Sequence, residues 1–483
     1  MIRWPAIVHL LGYFILGVAA SLIAPLVFAL VEGDAGVYPF LISLLVGLAV
    51  GGAVAFQRRA GPYEINRREG ILLVALAWVA ATTLGGLPYF ISPYVHNFTD
   101  AFFESMSGFT TTGATILTDI EAVPHSLLLW RAMTHWLGGM GIILLGIAIL
   151  PLLGTGGMEL YRAEFSGARS EKLRPRIAET ALALWKIYVA MTLAEYLALR
   201  FAGMTPFDAV CHSFATMATG GFSTRGLSIE AFQSPAIEYI VIVFMMLAGI
   251  NFTQHYRLFV ERKPRSFLGD PEIRAYGLIT LVATGIVMVA IAPEYSWSIE
   301  VSFRQALFQV VSIMTTTGFS STNFAQWASV ATFVLLILMF IGGCTGSTAG
   351  GMKVARIVLL LKVIGREFRK MAEKRAVFAI RLQGRAVNEG TVASVLNLVY
   401  LAFIINFSAC LILTASGLDL VTSFSAVSAA MFNIGPGLGT VGPVDNYAHI
   451  PALSKWTLSF CMLAGRLEYY TVLVVITPMF WRK

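Results

Sequence analysis

Four short glycine-containing stretches recur along the 483-residue sequence at wide and similar intervals. They read TTTGAT at 110–115, ATGGFS at 218–223, TTTGFS at 315–320 and FNIGPG at 432–437, and we call them glycine segments 1 to 4. Glycine allows backbone conformations that other residues avoid. Four such segments around one axis would present rings of carbonyl oxygens that replace the hydration shell of a cation. The repeated pattern therefore predicts a site of cation dehydration.

The candidate cation ligands are the residues at and just before one aligned glycine of each segment. They are Thr111, Thr112, Gly113, Thr219, Gly220, Gly221, Thr316, Thr317, Gly318, Asn433, Ile434 and Gly435. A single stretch of this kind is most often a turn at a helix end, whereas four copies in the same context favour a shared site. The threonine hydroxyls would either add oxygen ligands or hold the backbone in place. The cation would be transported cargo, and no covalently bound cofactor is expected.

Each glycine segment follows an apolar stretch that is too short to cross roughly 30 Å of hydrocarbon. These stretches lie near 99–110, 206–217, 302–314 and 420–432. They are too apolar for ordinary loops, so we expect re-entrant half-helices that enter the membrane and stop. Longer apolar stretches flank them and predict membrane spans that begin near Ala6, Tyr38, Gly70, Leu127, Ala178, Ala236, Tyr276, Ser329, Thr391 and Ser454.

The composition is that of a membrane protein. Charged residues make up 13% of the chain and hydrophobic residues 57%, whereas a soluble domain has about 25% charged residues. Most of the 34 basic residues fall in four linkers on one side of the predicted membrane, and the opposite loops carry mainly Asp and Glu. This asymmetry places both termini in the cytoplasm. The net charge of +7 therefore reports membrane orientation and implies no nucleic acid.

The order of these elements predicts an all-α polytopic membrane protein with four parallel repeats around one pore. Each repeat would contain a span, a half-helix, a glycine segment and a second span, an order abbreviated M1–pore helix–M2. Two extra N-terminal transmembrane helices at 1–68 would precede repeats at 69–176, 177–270, 271–386 and 387–483. All four glycine segments would lie toward the outer side of the membrane, which favours parallel over inverted repeats.

The eighth predicted span contains the glycine-rich sequence IGGCTGSTAGG at 341–351. Glycine costs about 1 kcal/mol in a helix interior, so we expect this span to break. A mobile segment beneath the glycine segments would obstruct ions and would be moved through the basic stretch that follows, at 353–385. Close helix packing through small residues is the alternative. The candidate gating residues in this stretch are Gly342, Gly343, Thr345, Gly346, Ser347, Gly350 and Gly351.

Charged residues inside spans are costly and usually functional. Arg466 in the last span is therefore a further candidate gating residue, which would place a positive charge below the glycine segments and contact the broken span. The alternative is a structural ion pair, for example with Glu468. Arg131 and His135 lie near the outer end of the fourth span, where we expect Arg131 to reach the interface and His135 to be a hydrogen-bonded packing residue. Glu104 in the first half-helix would support the glycine segment from behind.

Several motifs resemble those of the Trk/Ktr/HKT potassium-transporter superfamily, and most closely its Trk membrane subunits. They are SGFTTTGATIL at 107–117, HWLGGMGI at 135–142, ATGGFSTRG at 218–226, TTTGFSST at 315–322 and NIGPGLGTVGP at 433–443. The resemblance implies potassium uptake across a bacterial cytoplasmic (inner) membrane through a channel-like selectivity filter, with an intramembrane gating loop in the eighth span. It also implies a homodimer in which each protomer has its own pore, and a cytosolic TrkA-like nucleotide-binding ring that regulates conduction.

The segments also differ from a strict potassium-channel filter. None reads TVGYG, and segment 4 has Asn433 and Ile434 in place of threonines, so we expect modest discrimination between potassium and sodium. A glycine at every aligned position resembles potassium-selective members of the superfamily, since sodium-preferring plant relatives often have serine in the first repeat. A proton- or sodium-coupled secondary transporter with discontinuous helices is the open alternative. The sequence contains no HExxH, GxSxG or paired-aspartate motif, so no motif of this kind suggests an enzyme.

Replacing Gly113 by serine should lower the ratio of potassium to sodium permeability, because a side chain at this position disturbs the carbonyl ring that glycine permits. The ratio is measured as rubidium and sodium uptake into liposomes that contain the reconstituted protein. Unchanged relative permeability would count against the assignment of these segments as a filter.

Overall fold

The computed structural model describes residues 2–56, 65–148, 173–373, 376, 378–382 and 385–482. Throughout these residues the chain is helical between connecting loops, apart from a two-residue antiparallel ladder that pairs Arg381–Leu382 with Arg385–Ala386. The protein is therefore all-α, as the sequence predicts. Its main helices are of two kinds, long ones that cross the membrane and half-length ones that enter it.

In the described ranges a helix begins close to every predicted span. These helices are Trp4–Ser21 continued by Ile23–Glu32, Val37–Phe56, Arg67–Ile91, His125–Ala148, Leu173–Phe201, Pro235–Ala248, Pro271–Ile291, Ser329–Ile341, Glu389–Ala415 and Ala452–Arg466. By length and composition, 6 of the described helices can cross a membrane singly, or up to 8 if each of two bent pairs counts as one span. The chain is thus a multi-pass membrane protein.

Four half-length helices precede the glycine segments. They are Phe98–Phe109, Pro206–Met217, Ile299–Met314 and Leu420–Met431. The side chains of Asn97, Thr205 and Asp419 accept hydrogen bonds from backbone N–H groups in the first turn, which fixes where three of these helices begin. With 12 to 16 residues each, they are too short to cross the hydrocarbon. They deliver the chain into the glycine segments at membrane depth, which gives the four parallel repeats that the sequence predicts.

Spans other than the predicted one are broken as well. The eighth ends at Ile341, as expected. The sixth bends by 100° between Pro235–Ala248 and Phe252–Phe259, and the tenth bends by 119° between Ala452–Arg466 and Tyr470–Ile476. The sixth and tenth spans are therefore also broken, which the sequence analysis did not predict.

Local hydrogen bonding and strained backbone explain the two unexpected breaks. After the sixth span the Asn251 side chain accepts the N–H of Thr253 and caps the helix that follows. At the tenth span Glu468 and Tyr469 adopt positive φ angles of 58° and 40°, which no helix contains. Both breaks lie near the C-terminal ends of spans that follow a glycine segment.

The remaining described helices are short or follow a break. They are Pro264–Leu268, Val354–Ala372 and Pro478–Trp481, with 3-10 turns at Ser228–Phe232, Phe324–Gln326 and Gly439–Val441. Val354–Ala372 is the direct continuation of the broken eighth span. Arg369 and Lys370 lie in its last turn, where cations interact favourably with the helix dipole.

The N-terminal helices pack together through small residues. Gly12 of the first helix faces Ala55 of Val37–Phe56, and a Cβ added to Gly12 would lie 2.5 Å from the Ala55 backbone nitrogen. Gly47 likewise faces Ala19 and Leu84. Helices in a membrane associate largely by close van der Waals packing, which small residues permit. These glycines therefore hold the N-terminal pair against the first repeat.

Replacing Gly12 by leucine should destabilise the protein, because the new side chain would collide with the backbone of the facing helix. Overpacking of this kind costs about 1–3 kcal/mol. Gly17 lies in the same helix with no atom within 4 Å of an added Cβ, so Gly17→Leu is the matched control. The measurement is the midpoint of thermal unfolding in detergent. Equal midpoints for the two variants would contradict the packing.

Candidate ion-selectivity site

The glycine segments converge on one cavity. Gly113, Gly221, Gly318 and Gly435, one from each segment, all line a space of about 330 Å³. Residues that follow the segments, among them Arg225, complete its wall. The four repeats therefore meet at a common axis, as the repeat pattern predicts.

The aligned glycines contact one another's segments in chain order. A Cβ on any of them would overlap the carbonyl oxygen of the residue that directly precedes the aligned glycine in the neighbouring segment. The pairs are Gly113 with Gly220 O, Gly221 with Thr317 O, Gly318 with Ile434 O and Gly435 with Thr112 O. Only glycine fits in such positions. The four carbonyls thus form a closed ring at one level, and each of them belongs to a predicted ligand residue.

The backbone of the four segments has the same unusual conformation. The second residue before each aligned glycine has a positive φ, and so has the glycine itself. The angles are 54° for Thr111, 54° for Thr219, 58° for Thr316, 56° for Asn433, 85° for Gly113, 79° for Gly221, 80° for Gly318 and 104° for Gly435. A left-handed backbone costs a residue other than glycine roughly 1–2 kcal/mol. Strain repeated at equivalent positions is typical of a functional site.

Two of the segments are held by pairs of buried threonines. The hydroxyl oxygens of Thr110 and Thr112 lie 2.8 Å apart, and those of Thr315 and Thr317 are also 2.8 Å apart. Thr110 donates in turn to a carbonyl of its own half-helix. In segments 2 and 4 the equivalent positions carry no hydroxyl. Thr110, Thr112, Thr315 and Thr317 therefore hold the backbone of their segments, and the four oxygens that face the aligned glycines are carbonyls.

A polar side chain in each of the first three half-helices contacts a hydroxyl at the far end of its segment or just beyond it. Glu104, His212 and Gln309 stand at the same position relative to the aligned glycine. They contact the hydroxyls of Thr115 at 2.9 Å, Ser223 at 2.9 Å and Ser321 at 3.3 Å. The support predicted for Glu104 is thus found and has counterparts that the sequence interpretation missed. The sequence signal for these counterparts is a polar residue at the same distance before the aligned glycine in each of the three half-helices.

In the fourth repeat different residues support the segment. Ser425 Oγ accepts the N–H of Leu438 at 2.9 Å. Tyr447 donates its hydroxyl to the carbonyl of Gly435 at 2.8 Å. The Asn433 side chain donates to Thr112 Oγ1 at 3.0 Å, which joins segment 4 to segment 1. The asparagine that replaces a threonine therefore has a structural role at this junction.

Arg131 does not reach the membrane interface as expected. Its side chain is 2% exposed, and its Nε donates to Glu104 at 2.8 Å. A buried carboxylate without a partner is costly, and Glu104 is itself fully buried, so the arginine turns inward. His135 is a hydrogen-bonded packing residue, as predicted. Its Nδ1 lies 3.0 Å from the carbonyl oxygen of Gly108, and its Nε2 accepts the N–H of Phe222 at 3.3 Å.

The break in the eighth span is a loop, residues 342–353, that lies against the inner ends of the segments. The N–H of Gly350 donates to Thr316 Oγ1 at 2.6 Å, and the N–H of Gly351 donates to the Phe432 carbonyl at 3.2 Å. Thr348 donates its hydroxyl to the carbonyl of Met217 at 3.1 Å. We call this the inner loop. It contacts three of the four repeats at the base of the carbonyl ring.

The other predicted gating residues either shape the inner loop or attach it to a neighbouring span. Gly342, Gly346 and Gly351 have positive φ angles of 81°, 77° and 74°. The N–H of Thr345 donates to the Glu272 carboxylate at 2.7 Å. The hydroxyl of Ser347 donates to the Cys344 carbonyl at 2.6 Å, within the loop.

Further bonds attach the inner loop to the break in the sixth span. The carbonyl of Gly346 accepts the N–H of Phe252 at 3.1 Å. An added Cβ on Gly343 would lie 2.9 Å from the Gly249 carbonyl oxygen. The loop thus rests on the sixth and seventh spans.

Arg466 lies beside the inner loop. It is 4% exposed, and its NH1 donates to the carbonyl of Thr348 at 2.9 Å. Its Nε and NH2 have no hydrogen-bond partner within the described residues. The alternative ion pair with Glu468 is not found, because Glu468 pairs with Arg356 at 2.8 Å. Arg466 therefore contacts the broken span, as the sequence analysis predicts.

Comparison with known proteins agrees with this architecture. The family model TrkH, described as a cation transport protein, matches residues 38–483. The chain is 41% identical to the Trk system potassium uptake protein TrkH of Vibrio parahaemolyticus, over 100% of both chains. It is 42% identical to the protein of the same name from Escherichia coli K12, over 99% of both.

A solved structure matches as closely. It is the crystal structure of the potassium transporter TrkH from Vibrio parahaemolyticus, with a TM-score of 0.92, 39% identity and complete coverage of both chains. The match extends from the N-terminal helices through all four repeats. On the evidence of full-length sequence identity and of this common fold, the chain belongs to the TrkH family of cation transport proteins.

Proposed function

We propose that this protein takes up potassium across the cytoplasmic membrane of a bacterium, and that the four-carbonyl ring is its selectivity filter. The observation that carries the proposal is the contact of each aligned glycine with a carbonyl of the next segment. Carbonyl dipoles around one axis replace the water that a potassium ion loses on entry. The relatives in Vibrio parahaemolyticus and Escherichia coli are named as potassium uptake proteins, which agrees with this cargo.

The half-helices also favour a cation at the ring. Each of them ends where its glycine segment begins, so the partly negative C-terminal ends of all four helices lie near the axis. The helix that ends at Phe109 leads directly into segment 1, and the other three half-helices lead in the same way into segments 2 to 4. The proposed ion therefore meets carbonyl oxygens in the ring and favourable helix dipoles on the inner side.

The inner loop is the gate in this proposal. Its contacts with Thr316 and Phe432 place backbone directly under segments 3 and 4. The guanidinium of Arg466 contacts the same loop and adds a positive charge beside the ion path. A cation that leaves the ring meets both obstacles, so conduction requires the loop to move.

A cytosolic nucleotide-binding ring of the TrkA type would move the inner loop through the helix that follows it. Val354–Ala372 begins at the end of the loop and carries Lys362, Arg369 and Lys370 on its exposed surface. Such a basic surface suits an acidic partner on the cytoplasmic side. Exposed apolar residues on the same helix, such as Phe368 and Met371, suit contact with a second copy in a homodimer or with lipid.

The proposed function is tested by reconstituting the full chain in liposomes. Rubidium uptake should exceed sodium uptake and should not require an imposed proton gradient, because the proposed path is a passive filter. The measurement is tracer uptake of both cations with and without the gradient. Equal uptake of the two cations would remove the potassium assignment, and strict dependence on the gradient would favour a coupled secondary transporter.

Replacing Thr348 by valine should raise rubidium uptake in the absence of the cytosolic partner, because it removes the hydroxyl that ties the inner loop to Met217. One such hydrogen bond contributes about 0.5–1.5 kcal/mol, so a two- to tenfold increase is expected. Arg466→Ala, which removes another contact of Thr348, should act in the same direction. Thermal unfolding midpoints establish that both variants are folded.

Thr332→Val is the control for the Thr348 variant. Thr332 lies on the same span and donates only within its own helix, to the carbonyl of Ser329. It should leave uptake at the parental level. If the folded Thr348→Val and Arg466→Ala proteins take up rubidium at the parental rate, the assignment of the inner loop as the gate is contradicted.

A further inference from the structure

Arg131 links the outer ends of glycine segments 1 and 2. Its Nε donates to Glu104 in the first half-helix at 2.8 Å, and its NH1 donates to the carbonyl of Ser223 in segment 2 at 3.0 Å. The guanidinium carbon also lies 4.0 Å from the centre of the Phe222 ring. One fully buried side chain of the fourth span thus contacts two neighbouring repeats.

Glu104, the ion-pair partner of Arg131, is hydrogen-bonded to the end of segment 1. The Glu104 carboxylate accepts the hydroxyl of Thr115 at 2.9 Å and the N–H of Ile116 at 2.9 Å, in addition to the guanidinium. Arg131 NH2 donates to the same Thr115 hydroxyl at 3.2 Å. The ion pair is therefore a rigid block that is attached to the end of segment 1 and reaches across to segment 2.

The carbonyl that Arg131 holds has equivalents in two other segments. The second residues after the aligned glycines are Thr115, Ser223 and Ser320 in segments 1 to 3. The Thr115 carbonyl accepts the N–H of Tyr447 at 2.8 Å, and the Ser320 carbonyl accepts the N–H of Ile229 at 3.0 Å. Both donors belong to a neighbouring repeat. In segment 2 the guanidinium therefore replaces the backbone donor that holds the equivalent carbonyl elsewhere.

Among the described residues, only the first repeat has a charged side chain at the position that Arg131 occupies in its second span. Counted from the first residue of each second span, the position of Arg131 corresponds to Val241, Leu335 and Leu458, which are all fully buried. Apolar residues fill this position without the desolvation cost that a buried ion pair carries. In the first repeat the guanidinium supplies directed hydrogen bonds, which an apolar side chain cannot do. These bonds offset the desolvation cost of the buried ion pair.

We infer that Arg131 is a positioning residue for ion selectivity. It fixes the end of segment 2 relative to segment 1 and so keeps the carbonyls of Thr112 and Gly220 at the spacing that a potassium ion requires. The inference rests on the proposed function of the carbonyl ring. Because its charge is balanced by Glu104, Arg131 acts on the ring through geometry. Its loss should therefore change the preference between cations more than the total flux.

The test is the ratio of rubidium to sodium uptake by the full chain in liposomes. Arg131→Lys keeps the positive charge, but its donors all lie on one nitrogen, whereas the guanidinium uses a different nitrogen for each of Glu104, Ser223 and Thr115. Loss of the directed hydrogen bond to the Ser223 carbonyl should lower the ratio of rubidium to sodium uptake at least threefold. A folded Arg131→Lys protein with the parental ratio would overturn the inference.

Arg304→Lys is the matched control. Arg304 is a buried arginine in the third half-helix, and its donors go to Glu238 at 2.6 Å and Glu300 at 2.8 Å, both outside the glycine segments. The same substitution there should leave the uptake ratio unchanged even if it lowers the unfolding midpoint. An equal fall of the ratio in both lysine variants would reduce Arg131 to a general structural role and would contradict the inference.

A second variant covers the case in which Arg131→Lys does not fold. Arg131→Met combined with Glu104→Gln removes both charges, and replacing a complete buried pair is often tolerated. The glutamine oxygen can still accept from Thr115 and Ile116, so segment 1 keeps its support while segment 2 loses its donor. The uptake ratio should fall as for Arg131→Lys, and an unchanged ratio would again overturn the inference.

The parental protein and Gly113→Ser separate this inference from the proposed function. If the parental protein takes up rubidium and sodium equally, the filter proposal itself fails. If the parental protein prefers rubidium and Gly113→Ser loses that preference, the filter proposal stands, and the Arg131 variants then decide the inference on their own.

Discussion

The rest of the structure depends on one constraint, the close approach of four backbone carbonyls to four glycines that have no room for a Cβ. This approach requires left-handed backbone in every segment, and such backbone survives inside a membrane only where surrounding groups satisfy it. Glycines of the flanking spans also contribute. A Cβ on Gly138 would overlap the Phe109 carbonyl, and one on Gly465 would overlap the Met431 carbonyl, so these glycines let the half-helices come close enough to supply the support.

The backbone of the ring is fourfold, whereas the side chains that hold it differ from repeat to repeat. A carboxylate, an imidazole and an amide occupy one position in the first three half-helices, and a serine acts nearby in the fourth. The same conformation is thus maintained by different hydrogen-bond donors and acceptors. The inner loop adds to the asymmetry, because its contacts go to segments 3 and 4 and to the second half-helix. Movement of the loop would therefore act on one side of the ring first.

Sequence patterns were sufficient for the elements and for the centre of the site. In the sequence, the thickness of the hydrocarbon separates apolar stretches that can span it from those that are too short, and the recurring glycines mark the ring. The bends after Ala248 and Arg466 escaped prediction because a capping asparagine and two left-handed residues decide them, and these local backbone features do not follow from the length of an apolar stretch. The inward turn of Arg131 also escaped, because it depends on Glu104, which is distant in sequence. Long-range pairing of this kind is visible only once the repeats are assembled.

The central claim is that a cation binds between the carbonyls of Thr112, Gly220, Thr317 and Ile434. The most direct measurement is the anomalous scattering of rubidium or thallium in crystals of the protein grown with that ion. The account predicts a peak on the axis at the level of these four oxygens. Strong peaks confined to the acidic outer loops, with none on the axis at this level, would contradict it.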